Sequence, residues 1–395
     1  VIVTWLFDLA LLGVLIAYAV HGWRTGFVRA IAGFAGVVVG AIIAFFVAPV
    51  IGGWVPGSTW RIVAVVATSV FLVLGGHALG ATLGVRFRGS VKQRAVRLAD
   101  RVLGAAVSFV AASLVVGLLA SSAVGLGLPS LSRTIASSTV LRVIALVTPD
   151  PVETLVGRIR SLLVQDGLPA ITEALGGIVN PPTLPNVDTG SPALTEAAQS
   201  VVRITGTASE CGQNQAGSGF VVAADRVITN AHVLAGVTEP IIETPGGQAL
   251  SGTIVYFDPI DDLAVIAVPG LSAPPLTLTD TAADGDKGVV NGYPFGGPFV
   301  TTPAEVLSVD TAKVFDIYRS SQNNREVYTL ATTVEVGDSG GPLLTLDGEV
   351  TGVVFAKAAN TANVGYAMTM AELDPVAARA PALTAEVGSG TCSRG

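Results

Sequence analysis

Charge is scarce in this 395-residue chain: Asp, Glu, Lys and Arg make up 13% of it, about half the share usual in a soluble domain. Cysteine is nearly missing, with only Cys211 and Cys392, which excludes a disulfide-dense scaffold. The three histidines, His21, His77 and His232, are far apart in the chain and form no metal-ligand spacing. No metal or cofactor is therefore expected. The formal net charge of −7 offers no basic footprint for nucleic acid.

Apolar residues, by contrast, fill half of the chain, and its mean hydropathy is +0.65. Segments 2–20, 27–50, 60–83 and 102–128 each reach the roughly 17–25 residues that a helix needs to cross a bilayer. They are rich in Gly, Ala and Val, and Gly36 and Gly40 form a small-xxx-small step suited to close helix packing. The first segment lacks a basic leader and an A-x-A cleavage site, so it reads as a retained helix. The expected membrane part is a four-helix transmembrane bundle.

Charge is also unevenly placed. Up to Leu128 nine Arg and Lys face two acids, whereas the remainder carries 13 basic and 27 acidic residues. Arg24 and Arg29 flank the first connection; Arg86, Arg88, Lys92, Arg94, Arg97 and Arg101 crowd the third. The positive-inside rule puts both connections in the cytoplasm. The acidic C-terminal part then lies outside the cell membrane, on the periplasmic or extracellular side. Asp8 and His77 fall within or near the spans and are open to either a packing or a functional reading; His21 reads as interfacial.

Residues 129–192 read as a connecting region, with helical spacing over 131–147 and 151–164 and then a Pro-rich extended stretch. From residue 193 to 395 the pattern changes to short β-type runs separated by Gly, Asn, Asp and Pro, which favours an all-β barrel or sandwich. Three segments within it stand out. Gly217-Ser218-Gly219-Phe220 leads to Thr229-Asn230-Ala231-His232-Val233; Asp261-Asp262-Leu263-Ala264-Val265-Ile266 follows; Gly337-Asp338-Ser339-Gly340-Gly341-Pro342 comes last. A serine hydroxyl needs a base to become nucleophilic, and the base needs a partner to hold its tautomer.

These segments resemble the active-site motifs of the trypsin/chymotrypsin superfamily, in its HtrA-like branch. The order His, Asp, Ser matches that superfamily. The resemblance implies a chymotrypsin-like double β-barrel and a serine endopeptidase. It assigns His232 as general base, Asp262 as its orienter and Ser339 as nucleophile, with the N–H groups of Gly337 and Ser339 as oxyanion hole. Asp261 is the rival for the orienting role, but the motif places the carboxylate directly before Leu263. Asp338 is expected to shape the loop or to lie at the surface. By the same resemblance Thr333 lies near the base of the specificity pocket, Phe355-Ala356-Lys357 offers an extended edge to substrate, and Gly365, Tyr366 and Met368 line the far wall. No acidic residue stands at Thr333, so an uncharged P1 residue is expected. Too few residues follow Pro342 for the remaining strands and a PDZ domain.

The outside placement permits oxidation, so a Cys211–Cys392 disulfide is expected, free thiols being the alternative. Residues 1–128, with Gly22-Trp23-Arg24-Thr25-Gly26 and the basic third connection, resemble the colicin V production family. The combined architecture resembles a mycobacterial type of periplasmic membrane serine protease. That resemblance implies a role in acid and oxidative stress, envelope proteins including a peptidoglycan hydrolase as substrates, and self-cleavage.

Overall fold

The computed structural model describes residues 2–54, 58–88, 94–124, 134–135, 137–147, 170–171, 180–208 and 213–393. The chain divides into two compact units, Val1–Leu119 and Ala120–Gly395.

The first unit is helical: α1 (Ile2–Thr25), α2 (Phe27–Trp54), α3 (Ser58–Arg88) and α4 (Arg94–Val124). Glycine decides how closely these helices approach. A Cβ on Gly36 would collide with the carbonyl of Gly76, one on Gly40 with that of Leu72, and one on Gly80 with that of Ala32. The small faces of α2 and α3 therefore sit backbone against backbone, as membrane helices do when lipid gives no hydrophobic drive for association. Gly22 makes the same close approach to Gly104, and the Asp100 carboxylate accepts the N–H of Val28 at the start of α2 (3.4 Å).

The expectation of four spans is corrected to three. Among the described residues Thr4–Thr25, Phe27–Ala44 and Leu98–Gly117 are long and apolar enough to cross a membrane. In α3 the apolar stretch is only Val70–Gly84, short of the roughly 20 residues a hydrocarbon core requires. His77 lies on that stretch and its ring faces Gly33.

Helix α5 (Thr139–Val147) overlaps the expected 131–147 helix, whereas 151–164 lies outside the described residues. So does Cys211, one end of the expected Cys211–Cys392 disulfide. Helix α6 (Pro192–Ala198) opens the β-region: Pro192 stands in its first turn and the Ser191 hydroxyl accepts the N–H of Leu194 (3.3 Å), a standard N-cap.

The described residues contain fourteen strands in two sheets of seven, the first of them ahead of α6 and the others after it. In the first sheet, β2 (Val201–Ala208), β3 (Gln213–Ala223), β4 (Arg226–Thr229), β5 (Ile241–Glu243), β6 (Ala249–Ser251), β7 (Thr253–Asp258) and β8 (Leu263–Ala267) run in the order β6-β5-β2-β3-β4-β8-β7. The second contains β1 (Ala170–Ile171), β9 (Lys287–Gly292), β10 (Val300–Phe315), β11 (Gln322–Ala331), β12 (Pro342–Thr345), β13 (Val350–Ala358) and β14 (Val364–Met368). Its order is β1-β13-β12-β9-β10-β11-β14, and β14 also pairs with β13.

That last pairing closes six strands of the second sheet into a ring, and closure removes their free edges. The first sheet stays open, since β6 and β7 do not pair among the described residues. The expected double β-barrel is thus corrected to one closed sheet and one open one. Although only Gly252 separates β6 from β7, the chain pairs β6 with β5 and β7 with β8, which puts the two strands at opposite edges. Alternating burial along β2 and full burial along β14 place one apolar face inward. Separate apolar clusters around Val221, Val227 and Ile266 and around Val353, Tyr366 and Leu373 fill the interior. Short α7 (Ala231–Leu234) leaves the first sheet and α8 (Met370–Ala377) follows the second.

Valine at Gly36 should force α2 and α3 apart, because its obstacle is the Gly76 backbone and not a movable side chain. An overpacking cost of about 1–3 kcal/mol is expected. Lowered resistance to SDS-induced unfolding, relative to the wild-type chain and to a control valine at Gly75, where a Cβ meets nothing, checks it.

Candidate active site

Three chain segments converge from different strands. Strand β4 ends at Thr229; Asn230 stands in extended conformation and α7 then carries His232. The turn between β7 and β8 ends on Asp262. The loop from β11 to β12 carries Ser339. His232, Asp262 and Ser339 are all buried.

Asp262, and not Asp261, faces the imidazole. Its carboxylate lies 2.8 and 3.0 Å from His232 Nδ1 and accepts the His232 backbone N–H at 2.9 Å. Three contacts fix both ring orientation and tautomer: Nδ1 carries the proton and Nε2 is left to accept. Asp262 reaches this position with φ = +55°, a left-handed conformation that costs a residue with a Cβ about 1–3 kcal/mol. Asn230 supports it, donating its amide Nδ2–H to the Asp262 carbonyl (2.8 Å). Asp261 turns the other way and is half-exposed; burial and Asp258 raise its carboxyl above the ordinary value, with Arg325 opposing.

The Ser339 hydroxyl is buried and makes no hydrogen bond to any described residue. Its loop is held through backbone. The Ser218 hydroxyl donates to the Gly337 carbonyl (2.7 Å) and accepts the Tyr293 N–H (2.9 Å), while the Ser218 N–H donates to the Ser339 carbonyl (2.8 Å). With both carbonyls tied to Ser218, the Gly337 and Ser339 N–H groups are left unspent among the described residues. Gly337 has φ = +101°, and any Cβ there would strike the Tyr293 carbonyl; only glycine fits. The sequence reading gave Ser218 no role. Its only signal was the Gly-Ser-Gly context, where small neighbours let the hydroxyl approach another backbone.

Asp338 is buried, and its carboxylate accepts the Glu335 N–H (2.8 Å). Burial, with the Glu335 carboxylate adding to it, pushes the Asp338 carboxyl up to about 7; the Glu335 N–H and Lys357 only partly oppose. Lys357 pairs with Glu335 at 3.2 Å.

The other residues expected to meet substrate are distributed unevenly. Thr333 is half-buried, and its hydroxyl donates to the Asn363 side chain (3.4 Å); Asn363 in turn donates to the Pro182 carbonyl (3.2 Å). Gly365 packs against Val334 and Thr332. The side chains of Phe355, Ala356 and Tyr366 belong to an apolar cluster drawn from both sheets, leaving Phe355 and Ala356 only their backbone to offer.

One edge of β13 is taken by β14 along Val353–Lys357. The other edge is occupied in sequence by β12 up to Val353, by the Gly340 N–H and Gly341 carbonyl at Val354, and by β1 in parallel at Lys357 and Ala358. The expected substrate edge is therefore open only at Phe355–Ala356. The segment that closes it, Ala170–Ile171, comes from this chain's own connecting region.

Two families match the chain: the trypsin-like peptidase domain over residues 217–353 and the colicin V production protein over residues 7–149. Serine protease Rv3671c of Mycobacterium tuberculosis is 35% identical over 397 residues, covering 98% of both chains. Mitochondrial serine protease HTRA2 of Bos taurus is 34% identical over 157 residues, 38% of this chain and 33% of that one. Among solved structures, the active form of the Rv3671c protease superposes with a TM-score of 0.51 at 37% identity, covering 56% of this chain and all of the other.

Two outcomes are expected from these contacts. An aspartate whose folded value is raised holds a proton that the unfolded chain has lost, so stability grows as pH falls below about 7 and the gain is complete near the ordinary value of 3.8. Thermal unfolding of the full chain between pH 7 and pH 4 should show this rise, and Asp338→Asn should flatten it. Replacing Ala170 and Ile171 together by proline should free the β13 edge. At about 1 kcal/mol per backbone hydrogen bond, turnover of extended peptides should rise about fivefold in kcat/KM.

Proposed function

Because the chain belongs to the family of mycobacterial membrane serine proteases typified by Rv3671c, we propose that His232, Asp262 and Ser339 are its catalytic triad and that the Gly337 and Ser339 N–H groups form its oxyanion hole. The enzyme is a serine endopeptidase with a trypsin-like domain, in a multi-pass membrane protein whose protease domain is extracytoplasmic. The single observation that carries the residue assignment is the doubly bonded His232–Asp262 pair, together with a buried Ser339 hydroxyl that has no hydrogen-bond partner among the described residues.

Chemistry follows from that arrangement. Substrate binding brings the Ser339 hydroxyl onto Nε2 of His232; hydrogen bonds of this kind tighten in the substrate complex. Oγ attacks the scissile carbonyl as its proton passes to Nε2, and Asp262 stabilises the imidazolium that results. The carbonyl oxygen gains charge and is received by the two unspent N–H groups. Collapse expels the amine with the proton from His232, leaving an acyl-enzyme that water then hydrolyses by the same route.

The substrates are proteins of the cell envelope. Acid and oxidative stress are the setting we assign, with a peptidoglycan hydrolase as one substrate, self-cleavage within 180–195, and an uncharged residue preferred at P1. The polypeptide works as three parts: membrane domain 1–128, connecting region 129–192 and protease domain 193–395.

A fluorophosphonate probe tests the assignment. Wild-type chain should be labelled at Ser339, and labelling should fall at least a thousandfold in S339A and H232A, in line with the order of magnitude for triad removal. Undiminished labelling in both variants overturns the triad. Comparison of new N-termini in envelope proteins exposed to active and S339A enzyme then reads substrates, P1 residue and self-cleavage together.

A further inference from the structure

Arg325 lies on β11 of the second sheet, opposite Ala312 on β10, and its side chain is buried to 1% exposure. A buried guanidinium needs a reason, since hydrophobic residues of similar volume commonly serve stability as well or better. Its Nη2–H group donates to two backbone carbonyls, Phe315 on its own hairpin (3.2 Å) and Ile260 in the turn of the first sheet. Nε stands 4.0 Å from an Asp261 carboxylate oxygen, and neither Nε nor Nη1 makes a hydrogen bond to a described residue.

Ile260 precedes Asp262 by two residues. The turn between them is held at several points: Asp258 accepts the N–H groups of Ile260 (2.8 Å) and Asp261 (3.1 Å), and Ile317 donates its N–H to Pro259 (3.1 Å). Ile317 lies two residues beyond Phe315, the last residue of β10, in the connection to β11. That connection is itself rigid. Burial would raise the Asp316 carboxyl, yet hydrogen bonds from Ser320 and Ser321 hold it well below the usual range. Arg325 and Ile317 thus tie a turn of the first sheet to a hairpin of the second, the sheet that also carries Ser339.

We propose that Arg325 is a positioning residue of the active site: by holding the Ile260 carbonyl it sets the Asp258–Asp262 turn, and with it the His232–Asp262 pair, against the sheet that carries Ser339. This rests on the triad reading above. Charge gives Arg325 a second effect. Asp258 and Asp261 on the turn, Glu326 on β11 and Glu372 on α8 cluster on this side; Arg325 lowers the carboxyl values of Asp261 and Glu372 against burial and their mutual repulsion. Without the guanidinium, their field favours a positive charge nearby.

The test uses the full chain in nanodiscs with R325K, R325M, D262N and wild type, reading kcat and KM on one peptide, the pH profile of kcat/KM and the unfolding temperature. R325M is expected to lose on the order of tenfold to a hundredfold in kcat, as small misplacements do, with KM within about twofold. The acid limb of its profile should move to higher pH. R325K keeps the charge but not the two-carbonyl reach, so its acid limb should stay in place while kcat remains low. Wild-type kcat in R325M, or losses in kcat, KM and unfolding temperature together with an unmoved acid limb in both variants, overturns the proposal. D262N separates the two readings: its retained activity defeats the triad assignment, whereas its inactivity beside a fully active R325M defeats the role of Arg325 alone.

Discussion

The Ser218 hydroxyl is the contact on which the geometry of this protease most depends. It belongs to β3 of the open sheet, yet its bonds reach Gly337 and Tyr293, which belong to segments of the closed one. A hydroxyl donates once and accepts up to twice, and here the donation goes to the carbonyl that has to face away from the substrate. Turning that carbonyl aside demands the positive φ of Gly337, and the positive φ demands a residue without a Cβ. The course of the Gly337 backbone is therefore a property of the junction between two sheets.

Such junctions also mark the limit of what the sequence can convey. His232, Asp262 and Ser339 stood out as candidates because nucleophilic chemistry requires those residue types in small-residue surroundings, and the motif's choice of Asp262 over Asp261 agrees with the contact that Asp262 makes to His232. Ser218, Arg325 and Asn230 did not, because each acts on a backbone group far away in the chain, and a side chain aimed at a carbonyl leaves no pattern of residue type or spacing. The β-texture after residue 193 was equally plain from its turns. Closure of one sheet and not the other depends on which edge strands meet, β14 with β13 but not β6 with β7 among the described residues, and such long-range pairing is poorly marked by composition.

In the membrane unit, apolar length suggested four equal spans and concealed a difference among them. Helix α3 brings glycines at 76 and 80 against α2, so its sequence answers to a neighbouring backbone as well as to lipid. Phe355 was expected on an extended substrate edge and Tyr366 at a pocket wall; the side chains of both lie in an apolar cluster built from the two sheets together.

The parallel contact of Ala170–Ile171 with β13 would, were substrate to pair with that strand, let such an enzyme tell folded proteins from unravelled ones. An extended chain would find only Phe355–Ala356 open there and would have to displace Ala170–Ile171 to lie along more of the strand. A well-folded protein exposes few unpaired strands and has little with which to compete. An unravelled one presents many at high local concentration. Selection by exchange of strands would make the toll for entry the same for every sequence, and would let conformational disorder in the client, more than any particular side chain, decide what is cut.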